Sequence, residues 1–218
     1  MVLGPQIIFV LNVLSAFVAF LTSYFAYRFD RMTNNPLLKA ITLGFMLLGV
    51  GLLMEAGTSV LLGQTLVEII VSRYLAVIAT FAYLAIQMLA YVVFAVGYGY
   101  LAFGRSGQVA AGITILAVAP RVIDLTGLYR FAVASYFVVL VLLAFIVFQG
   151  VLTHSKARTR FSLLVLSAFV LLLAAHVLLL VSIVDLSGAI FFLGTAVQFL
   201  GFISLLVFLL RSGRVGPA

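Results

Sequence analysis

The stretch LLLAAHVLLLVSIVD, residues 171–185, holds one imidazole, His176, among residues that are otherwise apolar or hydroxylic until the closing aspartate. A run this long and this apolar exceeds a core strand and reaches the roughly 20 residues that a bilayer-spanning helix needs. Reading outward, similar runs recur along the 218-residue chain, near 5–27, 40–61, 74–102, 108–126, 131–152, 161–184 and 188–210. Polar breaks separate them: RFDRMTNNP at 28–36, GRSG at 104–107 and THSKARTR at 153–160.

Composition excludes the soluble alternative. Apolar residues make up 66% of the chain and charged ones 8%, against about 25% charged in a water-soluble domain. Too little polar material exists to cover a surface in water. The fold class expected is therefore all-α: a polytopic membrane protein of seven transmembrane helices forming one domain, 1–218. The rival count is six helices, which demotes the fourth run, because Pro120, Arg121 and Asp124 interrupt its outer end. The 58–74 connection, with TLVEIIVSRY, extends the third helix, lies along the interface or re-enters.

The net charge of +7 does not indicate nucleic acid, because the basic residues sit in connections rather than along a polar face. They report topology instead. With the N-terminus outside, Arg28, Arg31, Lys39, Arg105, Lys156, Arg158, Arg160, Arg211 and Arg214 lie inside, and Arg73, Arg121 and Arg130 outside. This bias predicts N-out and C-in in a cytoplasmic membrane. The segment before the first run lacks Lys and Arg, so that run reads as a retained span rather than a signal peptide. Absent cysteine removes disulfides and thiolate metal sites. Absent cysteine and tryptophan, with abundant Val, Leu and Arg, also fit a heat-adapted prokaryote.

Two parts of the chain read alike. AIQMLAYVVF at 85–94 pairs with AVQFLGFISL at 196–205, and LGFMLL at 43–48 pairs with SAFVLL at 167–172. The halves 1–103 and 127–218 then form a parallel repeat about a linker helix, 108–126. This three-one-three plan resembles the sugar-facilitating SWEET proteins, with Gln87 and Gln198 where that family carries asparagines. The spans here lack that family's prolines, so the resemblance is one of architecture only. A retinal Schiff base is excluded, since neither Lys39 nor Lys156 lies in a span.

Polar groups in lipid are costly and should face protein or water. On the third helix Thr80, Tyr83, Gln87, Tyr91 and Tyr98 fall on one stripe. Gln87 and Gln198 lie near the bilayer middle, and with Tyr83, Tyr91 and Tyr98 they are the candidate ligand or permeation residues. Interhelical hydrogen bonding is the plainer role for the two glutamines. His176 and Glu55 are the intramembrane ionisable candidates. Glu55 shares a face with Gly44, Gly51 and Ser59, which points it at another helix. Arg73, Arg121, Asp124 and Asp185 form an expected outer ionic cluster. Ser187, Gly194 and Gly201 recur every seven residues as a close-packing seam.

No phosphate loop, nucleophile elbow or HExxH pair occurs, so no catalytic residue, metal site or enzyme activity is expected. A haem through His176 would need a second axial ligand, and His154 lies at the far end of its helix. The expectation is no cofactor. Three functions follow. The first is a non-catalytic module binding a membrane-protein partner, a second copy, a lipid or a small apolar ligand. The second is a facilitator for a small uncharged solute using Gln87, Tyr91 and Gln198. The third is a haem-bearing electron-transfer subunit.

Overall fold

The computed structural model describes residues 4–61, 69–103, 125–158 and 160–212. Among these the chain is all helix: α1 (Gly4–Thr33), α2 (Pro36–Leu61), α3 (Ile69–Phe103), α4 (Leu125–Ala157), α5 (Arg160–Asp185) and α6 (Gly188–Ser212). Each contains a segment long and apolar enough to cross a bilayer, as in a multi-pass membrane protein. Large apolar side chains on the outside, among them Phe17 and Phe137 at 61% exposure, give the bundle a surface suited to lipid rather than water.

Sequence dictates where the helices turn. Asn34 adopts the left-handed conformation (φ 48°) and donates its N–H to the Asp30 carbonyl, a helix-terminating geometry that asparagine tolerates. Asn35 then caps α2, its Oδ1 accepting the Leu37 N–H at 3.0 Å, with Pro36 in the first helical position. Arg158 (φ 47°) ends α4, its N–H donating to the His154 carbonyl, and Leu186 (φ 52°) ends α5.

Packing places the six helices in a ring. Each contacts its chain neighbours, and α1 closes on α6. Gly44 and Gly97 let α2 and α3 approach so closely that their missing β-carbons would strike the Phe94 ring and Ala40. On α6, Gly194 packs against Leu179 and Gly201 against Leu172 of α5. Four helices meet at an aromatic centre, with the Phe45 ring 5.0 Å from Phe94 and 5.8 Å from Phe202, and Phe94 6.1 Å from Phe169.

These contacts also give direction. Phe94 meets Phe169 and Gln87 meets His176, so α3 and α5 are antiparallel. Tyr136 near His176 and Gly150 against Leu166 make α4 and α5 antiparallel as well. Hence α3 and α4 run parallel, and Phe103 and Leu125 lie at opposite ends of the bundle. One end gathers Arg28, Arg31, Lys39, Arg158 and Arg211, and the other carries Arg130 and Asp185.

Of the seven expected spans, six are present among the described residues. The fourth, 108–126, falls on 104–124, outside them, except that Leu125 and Thr126 already belong to α4. That helix starts before 131 because nothing between Leu125 and Phe131 breaks it: Gly127 and Arg130 sit at its membrane edge, where both are tolerated. In the 58–74 connection, α2 continues to Leu61 and α3 begins at Ile69, so the latter part of TLVEIIVSRY extends the third helix.

Candidate functional site

Several buried polar side chains meet inside this apolar ring. Of the α3 stripe, Tyr83, Gln87, Tyr91 and Tyr98 are buried on one face and Thr80 is half-buried. Gln87 reaches α5, where its Nε2 lies 2.9 Å from Nε2 of His176. The other ring nitrogen of His176, Nδ1, lies 2.7 Å from the Leu172 carbonyl oxygen one turn back. A carbonyl only accepts, so Nδ1 carries the proton, and Nε2 of the neutral ring accepts from the Gln87 amide. Both imidazole nitrogens are thereby engaged. Two phenol rings complete the surroundings, Tyr91 perpendicular to the imidazole at a centroid distance of 5.0 Å and Tyr136 tilted against it at 6.1 Å.

A second chain of hydrogen bonds runs beside the first. The Tyr83 hydroxyl donates to the Glu55 carboxyl, and Tyr83 is also bonded to Tyr136. Three helices, α2, α3 and α4, are tied together by it. Glu55 thus contacts another helix, as its glycine-lined face suggests. Tyr98 lies deeper toward the basic end, its ring 5.5 Å from Phe169.

Other buried polar groups lack such partners. Nδ2 of Asn12, Oγ of Ser15, the Tyr91 hydroxyl and Nε2 of Gln198 are fully buried with no hydrogen-bond partner among the described residues. Each such group buried without a partner costs about 1–3 kcal/mol. Gln198 and Gln87 therefore differ in kind: one amide nitrogen is satisfied and the other is not. Asn12 and Ser15 were not singled out by spacing, although Asn12, Ser15, Ala16 and Ala19 mark one buried face of α1. Tyr136 was missed too, because it stands in a mostly apolar run without a polar stripe like that of α3.

Asp185 is exposed at the end of α5. The side chains of Arg73, Arg121 and Asp124 lie outside the described residues, as does Glu68. Ser187 serves as a cap rather than as part of the seam, its Oγ facing the Ile190 N–H at 3.5 Å and its carbonyl accepting from Phe191. No group of three or more His, Cys, Asp or Glu side chains converges among the described residues. Comparison with protein-family models, curated proteins and solved structures returns no match.

Proposed function

We propose that this chain is a non-catalytic, multi-pass protein of the cytoplasmic membrane that binds a small uncharged polar solute at mid-depth and facilitates its passage. One observation carries the reading: Asn12, Ser15, Tyr91 and Gln198 bury polar atoms with no partner in the apolar interior. Two of the four atoms are amide nitrogens that can only donate, so the solute complementary to them brings acceptor oxygens. A partner-binding module or an apolar ligand needs none of these groups. A haem subunit would need a free nitrogen on His176, and both are hydrogen-bonded.

The proposal includes seven crossings, N-out and C-in, and a duplicated architecture. The seventh crossing is supported by the parallel course of α3 and α4, which sets Phe103 and Leu125 at opposite ends of the bundle. A shift of 124 residues carries the end of α1 to the end of α4, the left-handed Asn34 to the left-handed Arg158, and both ends of α2 onto those of α5. A shift of 111 carries Gln87 to Gln198. Under these shifts the Gly44–Phe94 contact falls on Ala168 and Leu205, one turn from the Leu172–Gly201 contact of the other half.

Purified protein in liposomes tests the function. Stopped-flow light scattering under glycerol and urea gradients is expected to show faster solute entry than protein-free vesicles for at least one probe, with sodium and chloride excluded. Equal rates for both probes would reject it.

A further inference from the structure

The solute site can be located by comparing the two halves, an inference that rests on the facilitator reading. The first half-centre is built from Gln87, His176 and Tyr136. The same two shifts carry Gln87 to Gln198, Tyr136 to Asn12 and His176 to Leu52. The second centre therefore keeps the glutamine but has an isobutyl group where the first has an imidazole. An amide, Asn12, also stands where the first centre has the Tyr136 phenol, and the polar atoms of the two centres differ in their partners. The Gln87 amide nitrogen has its acceptor at 2.9 Å, whereas Nε2 of Gln198, Nδ2 of Asn12 and Oγ of Ser15 have none. Asn12 and Ser15 are each 1% exposed and Gln198 2%. Only the Tyr91 hydroxyl is unpartnered in the first centre.

Depth agrees with this grouping. Phe20 lies against Gly49, and Ser23 Oγ donates to the Thr42 carbonyl, so Ser15 comes level with residues 50–54 of α2. The Phe45–Phe202 contact sets Gln198 level with Gly49. Ser15, Leu52 and Gln198 thus share about one helical turn of depth, with Asn12 a turn nearer the end that carries Arg130 and Asp185. The helices that carry the three polar residues, α1 and α6, are in contact where the ring closes.

We propose that Asn12, Ser15 and Gln198, on the α1–α6 seam beside Leu52, bind one small neutral solute bearing hydroxyl or carbonyl oxygens, and that the mutually bonded Gln87–His176 pair is its counterpart in the other half. The two amides donate to solute oxygens, and the Ser15 hydroxyl can accept a solute O–H or N–H. No cationic or anionic side chain stands among the three residues, so an ion would be desolvated without a counter-charge, which selects neutral molecules. Leu52 offers an apolar wall to the carbon side of a polyol or the face of a urea.

The test uses full-length protein in liposomes, with glycerol and urea as probes, and with elution profile and melting temperature as controls for folding. Gln198→Leu and Asn12→Leu are each expected to lower flux about tenfold or more, the loss of one buried hydrogen bond to the solute. Leu52→His is expected to do the same by giving Gln198 the partner that Gln87 already has. Should that variant fail to fold, Leu52→Asn replaces it. Gln87→Leu should keep flux within about twofold of the unaltered protein, since its amide is spent on His176. If Gln87→Leu abolishes flux while Gln198→Leu and Asn12→Leu retain it, the site lies at the other centre; the location is overturned and the facilitator reading stands. Equal flux in all variants overturns the location too. If the unaltered protein moves neither probe, both proposals fall.

Discussion

Gln87 and His176, 89 residues apart in sequence, join α3 to α5 through two nitrogen atoms 2.9 Å apart in a fully buried setting. The bond has its direction imposed from outside, since the Leu172 carbonyl fixes the proton on Nδ1 and leaves Nε2 to accept. Hydrogen bonds between membrane helices contribute about 0.6 kcal/mol on average and up to about 1.7. Removing one partner is costlier than the bond itself, because the other stays buried and unpaired.

Gln87→Leu and His176→Leu are each expected to destabilise the protein in detergent by about 1–3 kcal/mol, and the double variant by clearly less than the sum. Unfolding of the four proteins in a common detergent measures the coupling. Strict additivity would show that the two side chains do not interact.

Close approach of α2 and α3 yields a contrast between two glycines. The missing Gly97 β-carbon would strike Ala40, whereas that of Gly57 meets nothing within 4 Å. Gly97→Val should therefore force the helices apart and cost about 2 kcal/mol or more. Gly57→Ala should be neutral or stabilise by up to about 1 kcal/mol through helix propensity. Melting temperatures decide it, and equal losses at both positions would contradict the packing.

Leu186 holds a left-handed conformation at 85% exposure, so its side chain gains nothing from burial to offset the strain. Asparagine tolerates this backbone region far better. Leu186→Asn should raise stability by about 0.5–1 kcal/mol, read as a higher melting temperature. A fall would mean the leucine contributes a contact to lipid or protein that outweighs its backbone.

What could be read from sequence followed the strength of each physical signal. Long apolar runs and the basic breaks between them located six helices, since lipid solvation leaves little freedom in composition. The period of α3 placed Tyr83, Gln87, Tyr91 and Tyr98 on one buried face, as observed. Pairing was not legible. Nothing in the text of α5 says that His176 meets Gln87 rather than Gln198, because partners are chosen by the crossing of distant helices. Asn12 and Ser15 escaped because one amide and one hydroxyl on an apolar helix resemble ordinary interhelical contacts until their partners are sought. Tyr136 joined the site only through Tyr83 and His176. Of the expected outer ionic cluster, only the Asp185 side chain falls among the described residues.

Parallel packing of α3 and α4 makes a demand on topology that cysteine labelling can test, because the chain contains no cysteine. Met32 sits at the basic end of α1, and Tyr129 and Leu186 sit at the opposite end, on α4 and after α5; all three are well exposed. Basic connections favour the cytoplasmic side. In intact cells an impermeant maleimide should react with Tyr129→Cys and Leu186→Cys, and with Met32→Cys only after permeabilisation. Arg211→Cys, at the exit of α6, should behave like Met32→Cys. The decisive comparison is Tyr129→Cys with Met32→Cys. If both react from the same side, α4 starts where α3 ends, and the crossing assigned to 104–124 does not exist. The Phe81–Phe131 stacking at 4.4 Å argues for the other outcome, since it joins the early part of α3 to the early part of α4.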